Sequence, residues 1–295
     1  MNIDSESRIQ IMIKQILDPA SRRRRGARLS KMIFAAALLL PICALTACGG
    51  RETGSVIVAG STSVQPYAEI LSEDYMRLYP EMIVEVQGGG SAAGITAAES
   101  GTAQIGMSSR NLTEAEQDLW SVEIAKDGLA VIINPKNSVA SLTVDQIRAI
   151  YTAGAINWSE FGGDNAAIHV ITREEGSGSR SAFEDLVLGS DFRITPKAIV
   201  QDSNGAVRQL VADDPYSIGF ISLGLVNIGE KPVKALQLDN VTASRENVIN
   251  GSYILYRPFL FVAKGEPEGP AKQFIDFVLS PEGQLILSDE GLIPE

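Results

Sequence analysis

Four times in this sequence an apolar, strand-like run stops at glycines and small hydroxyl residues, and a helix-like pattern begins. The junctions are Gly60-Ser61-Thr62-Ser63, Gly88-Gly89-Gly90-Ser91, Ser108-Ser109-Arg110 and the loop Arg173-Glu174-Glu175-Gly176-Ser177-Gly178-Ser179-Arg180. The chemistry they offer is anion capture. The first turn of a helix leaves backbone N–H groups unpaired and carries roughly half a positive charge. Glycines let a ligand approach the backbone, and Ser or Thr hydroxyls add donors. Any one junction is also an ordinary cap and turn, since Ser and Thr are the usual caps. Their recurrence argues for a site. A dianion left bare in a low-dielectric cleft costs tens of kcal/mol. Each charge-assisted hydrogen bond returns roughly 1.5–3 kcal/mol, so donors from several junctions must converge. Arg173 supplies a guanidinium, whose fork matches a tetrahedral oxyanion. Glu174 and Glu175 beside it are placed to orient that guanidinium or to accept a proton from a protonated anion. Sulfate has no proton to offer, so such an acceptor bears on selectivity.

These junctions need elements to hold them. From Ser55 onward, strand-like and helix-like segments alternate, which argues for parallel sheets in an α/β fold. Strands are expected at 55–60, 83–86, 105–108, 129–133, 169–172, 199–200, 218–221, 235–238 and, as a long strand kinked at Pro258, 253–262. Helices are expected at 62–79, 91–100, 143–151 with Thr143 as N-cap, 179–188, 206–211, 271–279 and 281–288. In open sheets of this kind ligands sit at the carboxyl ends of the strands, where the four junctions fall.

The 295-residue length suits two domains. The composition, 45% hydrophobic and 21% charged, is that of a folded globular protein. Residues 48–295 hold 17 Lys/Arg against 33 Asp/Glu, a poor match for nucleic acid. Both cysteines, Cys43 and Cys48, lie in the N-terminal segment, which excludes a disulfide framework or thiolate zinc site in the body. His169, the one histidine, falls in an apolar strand run and reads as a partly buried strand residue. Trp158 reads as packing. Neither Gly-Xaa-Ser-Xaa-Gly nor a Walker string occurs, so no nucleophile elbow or nucleotide-hydrolysis loop is evident. No cofactor is called for.

Residues 1–47 read as an export signal. Arg22–Arg25, Arg28 and Lys31 form a basic flank, and Met32–Leu45 is a 14-residue apolar run, short of the ~20 residues that span a bilayer. Leu45-Thr46-Ala47-Cys48 resembles the lipobox of bacterial lipoproteins, in which the cysteine carries the lipid. Met1–Ser30 is long for such a flank, which we read as an upstream start codon. Residues 48–54 would be an anchor linker.

Together the residues resemble the periplasmic phosphate-binding proteins of the phosphate-specific ABC transporter. The similarity runs from about Ser55 to Pro294 through GSTSVQP (60–66), GGGSAAG (88–94), IGMSSR (105–110), IYTAGAINWSEFGG (150–163), TREEGSGSR (172–180), SNGAV (203–207), IGFISLG (218–224) and NGSYILYRPFLF (250–261). Their order and spacing make the match specific. The resemblance implies a type II two-lobed α/β fold, each lobe a mainly parallel sheet flanked by helices, joined by two crossover strands. Lobe 1 would be 55–134 with 252–295, and lobe 2 135–251. It implies that Thr62 and Ser63, Ser91, Arg173, and Ser177, Gly178 and Ser179 hold phosphate. It also implies an ABC permease and ATPase as partners, with Cys48 in the lipid bilayer. One position departs from long-chain relatives. Ser109 stands where they place an aspartate that accepts the phosphate proton, although shorter members also carry Ser there; it is expected to bind phosphate through its hydroxyl instead. A receptor for sulfate, molybdate or tungstate is the alternative expectation, and a phosphoester hydrolase a weaker one.

Overall fold

The computed structural model describes residues 54–295. The expected signal segment and Cys48 lie outside the described residues, as does the linker up to Thr53. Gly54 already opens the first strand. In chain order the elements are β1 (Gly54–Gly60), α1 (Gln65–Leu78), β2 (Met82–Gly88), α2 (Ser91–Ser100), β3 (Ile105–Ser108), β4 (Trp120–Ile133), β5 (Ser141–Leu142), α3 (Val144–Tyr151), β6 (His169–Arg173) and α4 (Gly178–Phe183). There follow β7 (Ile199–Gln201), α5 (Asn204–Asp213), β8 (Ser217–Ser222), β9 (Lys234–Ala235), β10 (Gln237–Leu238), α6 (Arg245–Ile249), β11 (Tyr256–Ala263), α7 (Gly269–Leu279), α8 (Pro281–Asp289) and β12 (Ile293–Pro294).

Most of these strands form one sheet, ordered β2-β1-β3-β11-β4-β8-β6-β7, with β9 and β12 also paired to β4. The flanks are parallel: β1 with β2 and β3, and β6 with β7 and β8. The middle is antiparallel, where β11 lies between β3 and β4, and β4 continues onto β8. Two cores grow on this frame. One gathers Val56, Val58, Tyr67, Leu71, Ile105, Phe259, Phe274 and Val278. The other gathers Leu129, Val131, Ile133, Tyr151, Trp158, Phe183, Phe220 and Tyr253. Strand β4 serves both halves. From Leu129 on it is buried on both faces: Leu129, Val131 and Ile133 enter the second core, and Ala130 and Ile132 a third cluster with Ile171, Val207 and Ile221. That is why Leu129–Ile133 reads as an unbroken apolar run.

The local chemistry explains the boundaries. Thr143 caps α3, its hydroxyl accepting from Gln146 N at 3.1 Å while Gln146 Oε1 accepts from Thr143 N at 2.8 Å. The helix expected over 179–188 is α up to Phe183, then opens into one wider π turn over Glu184–Leu188 before Gly189. The strand expected over 235–238 is two short strands: Leu236 N still donates to Val131 O of β4 at 2.8 Å, whereas Gln237 and Leu238 pair with β5. Strand β11 begins at Tyr256, later than expected. Its Pro258 faces Lys126 without an N–H to give, and the register shifts just beyond, between Phe259 and Leu260. Trp158 is fully buried in the second core, donating Nε1–H to Tyr216 O at 2.8 Å. His169 is more exposed than expected. It sits at the start of β6, with Nδ1 2.6 Å from Asp214 Oδ2. Among the described residues no helix is long and apolar enough to cross a membrane.

Candidate functional site

The carboxyl ends of β1, β3 and β6 and the starts of α2, α4 and α5 converge on a buried polar cluster. The close approach begins at Gly60. It has φ 137°, and a Cβ there would lie 2.4 Å from Met107 O and 2.8 Å from the Gly94 Cα. Without a side chain, the chain turns sharply out of β1. Ser61 N then donates to Met107 O at 3.0 Å, and Gly60 O accepts from Gly89 and Gly90 N at 2.9 and 3.0 Å. The turn aims Ser61, Thr62 and Ser63 at the second half. From that side, the loop after β6 comes close enough for Ala92 N to donate to Gly176 O at 3.0 Å.

Two hydroxyl groups of contacts result. In one, Ser61 Oγ donates to Ser109 Oγ at 2.9 Å, Ser109 N donates to Ser91 Oγ at 3.0 Å, and Ser91 and Ser109 Oγ are 3.3 Å apart. Gly178 packs on this group; a Cβ on it would lie 2.3 Å from Ser91 Oγ and 2.5 Å from Ser109 Oγ. In the other, Ser63 Oγ and Ser179 Oγ are 2.9 Å apart, and Asn204 Nδ2 donates to Ser63 Oγ at 2.8 Å. Ser61, Ser63, Ser91, Ser109, Ser179 and Asn204 are all buried. The structure thus brings the expected Thr62, Ser63, Ser91, Ser109, Arg173, Gly178 and Ser179 together. Ser177, also buried, is differently employed: its hydroxyl caps α4 by accepting from Arg180 N at 3.3 Å.

Arg173 is 1% exposed. Glu174 clamps it, accepting from Nε and Nη2 at 2.9 Å each, and Nη2 also donates to Thr62 Oγ1 at 3.2 Å. The backbone carbonyls of Gln201 and Asp202 accept at 3.2 and 3.0 Å. Of the two orienting carboxylates that the sequence offered, Glu174 is the one that holds the guanidinium.

A second buried guanidinium went unassigned in the sequence. Arg257, on β11, donates Nη1–H to Ser179 Oγ at 2.7 Å and Nη2–H to Ser63 Oγ at 3.0 Å. Its Nε and Nη2 meet Asp127 Oδ2, on β4, at 3.1 and 2.9 Å. Asp127 Oδ1 accepts from Ser222 Oγ at 2.7 Å, and Ser222 N donates to Asn204 Oδ1 at 3.2 Å. Burial pushes the Asp127 carboxyl up, against the pull of Arg257 and Ser222. Burial also pushes Arg257 down; Asp127 opposes this, while the nearby positive charge of Arg173 adds to it. The Tyr67 hydroxyl, 3.5 Å from Ser222 Oγ, is pushed up by burial and by Asp127. The signal for this pair was a lone acid in IAKDGLAV and a lone base in YILYRPFLF, each inside an apolar run. Among the described residues no group of His, Cys, Asp or Glu is arranged to hold a metal ion.

A sheet with parallel flanks, shared antiparallel middle strands and helix starts facing one another across a buried polar cluster is the architecture of a type II periplasmic binding protein. The model of the PBP superfamily domain matches residues 46–282. The phosphate-binding protein PstS of Bacillus subtilis is 31% identical over 249 residues, covering 83% of this chain and 82% of its own length. PstS of Borreliella burgdorferi is 29% identical, covering 89% and 98%. Among solved structures, a phosphate ABC transporter substrate-binding protein from Clostridium perfringens, described with bound phosphate, is 42% identical with a TM-score of 0.77, covering 82% of this chain and 99% of that one. An ABC-type phosphate transport receptor from Vibrio cholerae is 36% identical with a TM-score of 0.68, covering 81% and 100%. The chain belongs to the PstS family of phosphate-binding proteins.

Proposed function

We propose that this chain captures inorganic phosphate where its two halves meet and delivers it to an ABC permease and its ATPase for import. The observation that carries the reading is the buried cluster itself. Hydroxyls from Thr62, Ser63 and Ser91 on one side and Ser179 on the other lie in two hydrogen-bonded groups, joined by Ser63 N donating to Ser61 Oγ at 3.2 Å, with the buried Arg173 bonded to Thr62 Oγ1 beside them. An oxyanion replacing the hydroxyl–hydroxyl contacts would receive donors from both sides at once. Micromolar affinity corresponds to about −8 kcal/mol, more than one junction supplies. Residues 55–134 with 252–295 would then close on 135–251 as two lobes about β4 and β11, a familiar hinge repertoire. The acidic body offers phosphate little long-range attraction, so local dipoles and guanidiniums carry the affinity.

The donor set favours a binder over an enzyme. The sole histidine sits at the outer start of β6 with Asp214, and the cluster's carboxylates are each engaged by an arginine. Incubation with a generic phosphomonoester should give no turnover. Isothermal titration of the full-length chain with phosphate, sulfate and molybdate tests the function. Phosphate should give a saturable heat; binding of molybdate alone would assign the site to another oxyanion.

The N-terminal reading completes the proposal: export, cleavage before Cys48 and lipid attachment there. More than one acyl chain makes such anchoring stable. Metabolic labelling with a radioactive fatty acid should mark the protein, and Cys48→Ala should abolish the label. A labelled Cys48→Ala protein would refute the anchor.

A further inference from the structure

Strands β4 and β11 carry the chain between the two cores, and the change of core marks where they bend. On β4, Ile124 and Ala125 belong to the first core and Leu129 to the second. On β11, Phe259 belongs to the first core, while Leu255, just before the strand, belongs to the second. The β11–β4 register reaches Tyr256 opposite Gly128, beyond which Leu129 N donates to Leu255 O at 2.8 Å. A third segment reaches this place without continuing into the second half. Strand β12 pairs Ile293 with Lys126 and Pro294 with Ala125. It is anchored in the first half on both sides of Ile293. Leu292 is buried in the first core, Glu295 N donates to Gln284 Oε1 at 2.8 Å, and Lys126 Nζ donates to Glu295 Oε1 at 3.1 Å. Ile293, between these anchors, is half-buried and packs against the second core. Helix α8 makes another crossing. Its Leu287 is buried in the first core, while Ser288 Oγ accepts from Arg245 Nη2–H, on α6 of the second half, at 2.8 Å.

We infer that the segment from Ser288 to Glu295 is a strap across the hinge, whose contacts at Ile293 and Ser288 hold the two halves closed and set how fast a captured anion leaves. The inference rests on the proposed two-lobe closure and deepens it by adding a control on release. Strands β4 and β11 are covalent crossings, which bend when the halves part. The strap has no peptide bond into the second half, so its contacts there break instead. Parting the halves pulls the second core off Ile293 and Arg245 off Ser288. Both losses, one of apolar burial and one of a charge-assisted hydrogen bond, fall on the open form alone. Arg245 and Ser288 meet each other and no residue of the anion cluster. The strap therefore acts on the balance between closed and open forms, and its effect belongs to the off-rate.

The test is release of radiolabelled phosphate from the full-length chain, chased with unlabelled phosphate and sampled by rapid filtration, beside calorimetric titration of the same protein. The double variant Ile293→Ala/Arg245→Ala should release phosphate at least ~10-fold faster and bind it correspondingly more weakly, with an association rate within ~3-fold of the unaltered chain. Ser288→Ala removes a single hydroxyl and keeps the test open should the double variant fail to fold. It should release phosphate ~3-fold faster. Release at the wild-type rate from either variant, once folded, would make the tail a structural element only and overturn the inference. So would a loss of affinity carried by slower association. If the unaltered chain takes up no phosphate at all, the oxyanion function fails, and this inference with it. That result is distinct from phosphate bound and released at an unaltered rate.

Discussion

Arg257 and Asp127 meet at 2.9 Å with each side chain about 1% exposed, and neither can be removed alone without stranding the other. Breaking such a pair costs more than the pair contributes, on the order of 3–5 kcal/mol. Asp127→Asn should therefore lower unfolding free energy by about that amount, measured by urea titration. A loss below about 1 kcal/mol would mean that the pair is reached by water. Arg173 differs in kind: its type, its place after a strand and its Gly/Ser loop made it legible in the sequence. Arg257 stood out only as a lone base inside an apolar run, which does not say what it pairs with. Its meaning comes from Asp127, which lies 130 positions away. Ser63 and Ser179 were legible as hydroxyls at helix starts, but the bonds they accept come from Asn204 and Arg257, which only the fold brings near.

At the scale of elements, the strand–helix order was readable from periodicity and caps, and the departures have local causes. Thr143 was expected to cap a helix and does, so Thr143→Ala should cost about 1 kcal/mol of stability without altering anion binding. A circular-dichroism melt with a parallel titration checks both halves of that statement. Strand β4 was half legible. Leu129–Ile133 stood out as apolar, whereas Trp120–Gly128 was masked by Glu123, Lys126 and Asp127. Lys126 reaches Glu123 and Glu295 at 3.5 and 3.1 Å at the surface, while Asp127 turns inward. The junction before α4 carries a stronger prediction. A Cβ at Gly178 would meet the hydroxyls of Ser91 and Ser109, and the Ser109 carbonyl carbon at 3.1 Å. Gly178→Ala should hold the two sides apart. The variant should melt near the wild-type temperature yet lose at least ~10-fold in phosphate affinity; unchanged affinity would place the anion elsewhere.

For the whole molecule, acid stability follows from how charges are shared. The loop after β3 is tied by Arg110, which donates to both oxygens of Glu116 at 2.7 and 2.8 Å, while Thr113 N donates to the same carboxylate at 2.8 Å. The Arg110 bonds pull the Glu116 carboxyl down to about 2. A carboxyl lowered in the folded state stabilises above its unfolded value, near 4.3, and loses that contribution as pH falls towards about 2. Glu116→Gln should thus remove up to about 3 kcal/mol at neutral pH and little below about pH 2, read from urea midpoints across that range. An equal loss at both ends would assign the effect to packing. In the proposed function, closure would depend on a guest with negative charge meeting Arg173 from one side and hydroxyls from the other. Calorimetric titration of the full-length Arg173→Ala variant with phosphate, beside the unaltered chain, puts that to the test. Truncating a buried, hydrogen-bonded charge should cost about 2–5 kcal/mol of binding, read on a variant that still unfolds cooperatively. A folded variant that takes up phosphate with undiminished affinity would contradict it.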